Sequence, residues 1–262
     1  VDKHQVAIPF IPNGPQAQLL DTMTGRDIVL KARQMGFSAI ILAMFATDFI
    51  LEENSRSVVI AHENGATQRL FDRVKYFIKS FEEKTGAKIP LKYNSRSELV
   101  NSSNNATFYV GTAGSEAFGR GDTIFNLHGS EVAFWPNPET TLTGLLQAVT
   151  QGGKVFLEST ANGYGNYFHT LWDKAERKES AFSAHFYPYT DLAEYQVDGW
   201  KEAKMAEFAD PRLFAQEFPE TAEEAFLSSG SPFFDVSIIR QWLKDAQSPI
   251  KTGSLTMEGV WL

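Results

Sequence analysis

The stretch Lys31-Ala32-Arg33-Gln34-Met35-Gly36-Phe37-Ser38 sets a lysine, an arginine, a glycine and a serine between two apolar runs. Ile28-Val29-Leu30 precedes it and Ala39 to Phe45 follows it. A strand, a short loop with glycine and basic residues, a serine and then a buried helix is the layout of a phosphate-binding loop. Backbone N–H groups, a helix N-terminus and a cation there share the phosphate charge. Of the usual pattern G-x-x-x-x-G-K-[S/T], Gly36 and Ser38 are present. Lys31 stands in place of the first glycine, and Phe37 in place of the lysine. The chemistry needs a cation and not one fixed origin for it; whether Lys31 and Arg33 replace the missing lysine is a question for the rest of the chain.

A second group lies at Ile124-Phe125-Asn126-Leu127-His128-Gly129-Ser130-Glu131. An apolar strand ending in Asp-Glu would anchor magnesium with the aspartate and polarise an attacking water with the glutamate. Here Ser130 replaces the aspartate and Glu131 is kept. An ordinary strand-end glutamate reads the same way in sequence. Third is Val155-Phe156-Leu157-Glu158-Ser159-Thr160-Ala161-Asn162-Gly163. Its hydroxyls and amide suit a γ-phosphate sensor, and Asn162-Gly163 also suits a plain turn. Fourth, Arg120 between Gly119 and Gly121 has the exposure that an arginine finger requires, and a solvated loop arginine is otherwise the default reading. Fifth, Gln16, or Gln18 as second choice, supplies an amide able to read an adenine edge. His62 and His128 close apolar strands and read as hydrogen-bonded strand-end histidines. Arg69, Arg73, Lys75 and Lys79 line one helix face, more in keeping with a solvated face than with a DNA contact.

The elements that must hold these groups follow from periodicity and punctuation. Residues 1–14 read as extended, with Pro9, Pro12 and Asn13-Gly14 as turns, and a short helix starts near Pro15. Strands are expected at Asp27–Lys31, Ser57–His62, Ala106–Gly111, Thr123–Leu127, Lys154–Glu158 and Ala184–Tyr187. Asn64-Gly65 reads as a turn and Asn94 to Asn105 as a loop or hairpin. Helices are expected at Ser38–Leu51, Thr67–Phe81 and after Asn137-Pro138, the last ending at Gly152-Gly153. Strands alternating with helices imply a mostly parallel α/β sheet covered on both faces. After about Leu192 the pattern turns helical: Trp200–Phe208, Pro211–Phe218, Thr221–Leu227 with a Thr221/Glu224 capping box, and Asp235–Ala246. Leu255 to Leu262 looks like the start of a further β element, so the chain reads as a fragment.

The chain has 262 residues, 43% of them hydrophobic, enough for a substantial core. It has no cysteine, which excludes disulfides and thiolate metal sites. Its net charge of −8 does not favour broad coating of nucleic acid. The longest apolar run, Ala39 to Thr47, is too short to span a bilayer, and no secretory signal is visible.

The order of these groups is more specific than any one of them. A glutamine, the variant loop, Ala61-His62-Glu63, Arg-Gly, Ser130-Glu131-Val132-Ala133-Phe134-Trp135-Pro136, and Glu158-Ser159-Thr160-Ala161-Asn162-Gly163 come in turn. With the tail Phe214 to Phe226, this order resembles the ATPase domain of the large terminase subunit of tailed bacteriophages, from about Ile11 onward. The resemblance implies a P-loop NTPase of the additional-strand, catalytic-glutamate class, with ATP and Mg2+ as cofactors. It implies a core over residues 1–192 and a small helical lid or linker over 193–262, leading to a nuclease domain absent from this chain.

By the same resemblance Lys31 is a displaced Walker A lysine, Glu131 the catalytic glutamate and Arg120 the arginine finger. Residues 31–38 with Ser159, Thr160 and Asn162 contact the nucleotide and couple its state to movement. Ser38, Ser130 and Glu131 face the metal, and Gln16 reads the adenine. The implied partners are double-stranded viral DNA, a portal protein, a small terminase subunit and further copies in a ring. The implied place is the procapsid portal vertex in the host cell cytoplasm. A non-hydrolysing nucleotide-binding assembly module and a helicase-like translocase are the alternatives.

Overall fold

The computed structural model describes residues 8–114 and 123–228, and residues 238, 242 and 245 individually. Eight strands form one sheet: β1 (Arg26–Lys31), β2 (Arg56–Ala61), β3 (Leu91–Asn94), β4 (Glu98–Asn101), β5 (Thr107–Thr112), β6 (Ile124–Ser130), β7 (Val149–Ser159) and β8 (Ser183–Tyr187). Their order is β3-β4-β5-β2-β6-β7-β1-β8. From β5 to β8 every neighbouring pair is parallel; β3 and β4 join as an antiparallel hairpin at one edge.

The middles of β1, β2 and β7 are apolar runs because these strands are buried on both faces, while β6 also buries Asn126 and His128. Successive side chains alternate between two cores. Val29, Val59, Ala61 and Phe156 enter one, with α2 (Phe37–Leu51) and α3 (Asn64–Thr85). Ile28, Leu30, Val58, Ile60, Val155 and Leu157 enter the other, with α4 (Pro138–Ala148) and α5 (Tyr167–Glu176). The α/β class with helices on both faces is therefore the one the sequence pattern implies. β7 lies between β1, which feeds the loop, and β6, which ends at Ser130-Glu131. This is the additional-strand arrangement.

The polar 94–105 stretch forms the turn and second strand of the edge hairpin. Its asparagines satisfy the carbonyls left open at the end of α2: Asn101 Nδ2 donates to Phe49 O, and Asn104 Nδ2 to the carbonyls of Phe49, Ile50 and Glu52, at 3.1–3.2 Å.

Several local expectations are corrected. Asn13-Gly14 is a helix start: the Asn13 side chain caps α1 (Gly14–Thr22). Asn64-Gly65 forms the first turn of α3, because the chain bends one step earlier, at the extended residue Glu63. Gly152-Gly153 does not end α4 but lies inside β7. A Cβ on Gly153 would stand 2.7 Å from Phe125 O, and here the β6–β7 register shifts between Ile124 and Asn126, so glycine permits the bulge. Asn137 occupies the α4 cap position in a left-handed conformation, without a side-chain capping bond. Thr221 does accept from Glu224 N at 3.1 Å, but the Glu224 carboxylate reaches Glu220 N. The helix expected at Asp235–Ala246 and the β element at Leu255–Leu262 lie outside the continuously described residues.

Compact packing continues past residue 192 to Ser229, and a second unit starts at Gly230. The helices α6 (Trp200–Met205) and α7 (Pro211–Glu217) are short and carry an aromatic cluster. Tyr195 and Trp200 stack at 4.4 Å, and Phe214 and Phe218 at 5.5 Å. Tyr195, Phe214 and Phe218 belong to the α2/α3 core. The helix α8 (Ala222–Ser228) sends Ala225 and Phe226 into the opposite core. Among the described residues no helix is long and apolar enough to cross a membrane.

Candidate functional site

The loop between β1 and α2 turns through two left-handed residues, Gln34 (φ 61) and Gly36 (φ 81). At Gly36 the backbone angle disfavours a side chain, and a Cβ would stand 2.5 Å from Gln16 Nε2, so the Gln16 amide would have to shift. Ala32 N donates to Tyr187 O and Arg33 N to Glu217 O. No acceptor among the described residues takes the N–H groups of residues 34 to 38. Open amides beside left-handed turns at the start of a buried helix make a concavity suited to an anion.

Phe37, in the lysine's usual place, is buried and packs on Tyr187 with ring centroids 4.5 Å apart. The cation comes from below the loop. Lys31, last residue of β1, is 6% exposed, with Nζ 2.8 Å from Glu131 Oε1 and 3.1 Å from Glu158 Oε2. Burial alone would lower the lysine pKa, but Glu131 and then Glu158 outweigh it and hold the amine above its ordinary range.

Glu158 is the residue that motif reading passes over. It is fully buried at the end of β7, and its Oε1 accepts from both Ser38 Oγ (2.7 Å) and Ser130 Oγ (2.8 Å). Burial would push its carboxyl upward; the Lys31 ammonium, then His128, then the Ser38 hydroxyl overturn this and hold it well below the usual carboxylate range. An acid closing the apolar run Val155-Phe156-Leu157 is the signal available in sequence.

Glu131 has φ 54 and ψ 47, a conformation costly for a residue with a Cβ and one that tends to persist where function requires it. The end of β7 supports it: Ser159 Oγ lies 3.4 Å and Thr160 N 3.3 Å from Glu131 Oε2. Ser159 Oγ also accepts from Ala133 N (3.2 Å), and Asn162 Nδ2 donates to Ala133 O (3.0 Å). Trp135 Nε1 fastens the same turn by donating to Ser130 O at 2.9 Å.

Four of the residues singled out in the sequence are placed differently from the sequence expectation. Gln16 is buried, its Oε1 accepting from Asn13 N (3.0 Å) and its Nε2 donating to Gly36 O (2.7 Å), so its amide braces the loop. The Arg33 guanidinium is held by Glu217 at 2.7 Å; that hydrogen bond raises its pKa, with the Glu131 charge adding to it. His128 is fully buried with neither ring nitrogen in a well-formed hydrogen bond; Nε2 lies 3.4 Å from Glu158 Oε1. It is not the hydrogen-bonded strand-end histidine that its sequence position suggested. His62 Nδ1 is likewise without a partner among the described residues. Gly119-Arg120-Gly121 falls outside the described residues. On α3, Arg69 pairs with Glu63, Lys79 with Glu83, and Lys75 donates to Ser95 O, as a solvated face does; Arg73 differs, its pKa lowered by burial against the opposing pull of the Glu158 charge.

The arrangement offers amides and an ammonium for phosphate, two hydroxyls and a buried carboxylate with the oxygen chemistry that magnesium prefers, and a strained glutamate beside them. No protein-family model matches the chain, and no curated protein does. Solved structures do. The Thermus phage P74-26 large terminase ATPase domain matches with a TM-score of 0.64 at 18% identity, over 80% of this chain and 93% of that one. The HK97 bacteriophage large terminase matches at 0.62 and 13%, over 86% and 52%. The large terminase of a thermophilic bacteriophage, in complex with ATP-gamma-S, matches at 0.56 and 15%, over 74% and 46%. The chain thus spans about half the length of the latter two proteins and nearly all of the P74-26 domain. The fold of this chain is the fold of large-terminase ATPase domains.

Proposed function

We propose that this chain is the ATP-hydrolysing part of a motor that drives double-stranded viral DNA into a preformed capsid. One observation carries the reading: the Lys31 amine, buried beneath the open amides of residues 34–38, lies 2.8 Å from Glu131. ATP binds with its phosphates on those amides and on Lys31. As the phosphates draw the amine, Glu131 is released to accept a hydrogen bond from water and orient it in line with the γ-phosphorus; the bond to the ADP oxygen breaks as water's oxygen bonds to phosphorus, and the water proton passes through the Glu131 carboxylate to the phosphate product or solvent. Ser38 and Ser130 are the residues toward Mg2+, which when bound would neutralise charge on the phosphates; the Glu131 carboxylate, beside them, is turned to the attacking water. Arg120 stabilises the transferring group, within one subunit or from a neighbour in the ring. Ser159, Thr160 and Asn162, tied to the Glu131 turn, pass its state outward.

DNA, the portal protein, the small terminase subunit and the site of action at the portal vertex in the host cytoplasm belong to the same proposal. The DNA grip is directed at phosphates and weakens with salt. The test is nucleotide binding and steady-state hydrolysis by the wild type, Lys31→Ala and Glu131→Gln. Wild type should bind and turn over ATP, and Glu131→Gln should bind it but slow at least about 100-fold. A wild type that binds ATP without hydrolysing it, even when concentrated or assembled with DNA and portal, favours the assembly-module reading; no binding at all refutes both.

A further inference from the structure

We propose that Glu158 supplies the negative charge of the magnesium site, from β7, in place of the aspartate that Ser130 displaces at the end of β6. The inference rests on the nucleotide reading above and assigns a role that the loop and strand motifs do not contain.

Three observations converge on it. First, Ser130 and Glu158 are cross-strand partners in the β6–β7 register. Neighbouring strands lie about 4.8 Å apart. A carboxylate lost at 130 and present at 158 has therefore moved one strand sideways without changing its level in the sheet. Second, the two hydroxyls that face the metal by motif position, Ser38 and Ser130, both donate to one oxygen, Glu158 Oε1, at 2.7 and 2.8 Å. Ser38 comes from the loop and Ser130 from the strand end, so two separate elements bring metal-type ligands to this carboxylate. Glu131 instead pairs through Oε1 with Lys31 and through Oε2 with Ser159 and Thr160. Third, Glu158 is fully buried, and its Oε2 has no well-aligned hydrogen-bond donor; its 3.1 Å approach to Lys31 Nζ is an ion pair only. Lys31 supplies the cation beside that oxygen now; once phosphates draw the amine, a buried carboxylate is costly unless another cation shares it.

Charge counting agrees. Lys31 faces two carboxylates now, and an aspartate at 130 would add a third, buried against Glu158. Among the described residues no group of three His, Asp or Glu is spaced to hold a metal alone. That suits magnesium, which keeps waters and takes few protein oxygens alongside substrate phosphates. The role assigned to Glu158 is to hold hydroxyls and water in the cation's shell, leaving Glu131 for the attacking water.

The test measures ADP affinity of the full chain with and without Mn2+, and follows bound Mn2+ by electron paramagnetic resonance. The variants are Glu158→Gln, Ser130→Asp/Glu158→Ser and Glu131→Gln. Wild type should bind ADP more tightly with Mn2+. Glu158→Gln should lose that tightening by about 10- to 100-fold while keeping its metal-free ADP affinity, and the exchanged pair should restore it. Glu131→Gln should keep it. Should Glu158→Gln fail to fold by circular dichroism, the exchanged pair decides: metal linkage near the wild-type level supports the proposal and a folded pair without linkage overturns it. A Glu158→Gln protein with undiminished linkage, or linkage lost in Glu131→Gln instead, also overturns it. No ADP binding by wild type would sink the nucleotide reading itself, a different result from unchanged linkage.

Discussion

Removing the Lys31 amine tests whether the centre of the site is one coupled unit. In Lys31→Met, Glu158 keeps its two serine hydroxyls but loses its ammonium while fully buried; Glu131, with a side chain 27% exposed, can recover water. Breaking a buried pair by deleting one partner costs about 3–5 kcal/mol, and the part from Glu131 should be near the surface-pair value of about 1 kcal/mol or less. Lys31→Met should therefore lose about 3–5 kcal/mol. Glu158→Gln should lose less, about 1–2 kcal/mol, because Lys31 keeps Glu131 and the glutamine oxygen still accepts from Ser38 and Ser130. In the double variant the stranded charge is gone, so its loss should fall short of the summed single losses by about 2–3 kcal/mol, within the range measured for residues in contact. The assay is urea unfolding without nucleotide or metal, read as a double-mutant cycle.

The pH window of that coupling follows from the directions of the shifts. Lys31 is raised above its ordinary 10.5, so its contribution is full below that value and fades as pH rises through the folded value. Glu158 is lowered from 4.5, so its contribution is full above 4.5 and is lost as pH falls through the folded value. The coupling should stay constant between those limits. Additivity within about 0.5 kcal/mol at neutral pH would show that Lys31 and Glu158 do not act as a buried pair.

Two further outcomes are expected. Gln16→Ala should lose about 1–3 kcal/mol and weaken ATP and GTP binding equally, because its amide holds Gly36 O; a loss confined to ATP would mean that Gln16 reads the base. Tyr187 is pushed up to about 12 by burial, opposed by a hydrogen bond with Thr22 and reinforced by Asp27 and Asp191. A raised folded value makes its contribution full below pH 10 and lost on rising through about 12, so Tyr187→Phe should flatten the decline in stability over that window. An unchanged pH profile would refute the assignment.

Much of the candidate site is legible in the chain because its loop is a local device. A strand end, a left-handed glycine and the first turn of a helix are consecutive, so Lys31, Gly36 and Ser38 can be found from neighbours alone. Glu131 and the Ser159–Asn162 run are legible the same way, as strand ends with polar punctuation. Local patterning also carries the α/β class, since strands buried on both faces read largely as apolar runs, even though β6 buries Asn126 and His128 as well. Gly152-Gly153 misleads because glycine serves a helix end and a strand bulge equally well, and only the approach of Phe125 O distinguishes them.

What sequence could not settle is which strand lies beside which. Placing β7 between β1 and β6 brings Glu158 to Lys31, Ser38 and Ser130, and that order depends on crossover packing of helices on both faces. The loop's bracing by Gln16 and Glu217 likewise joins residues 20 and 184 positions apart. A buried carboxylate acquires its meaning from its neighbours' charges, and those neighbours are assembled only when the sheet closes around it.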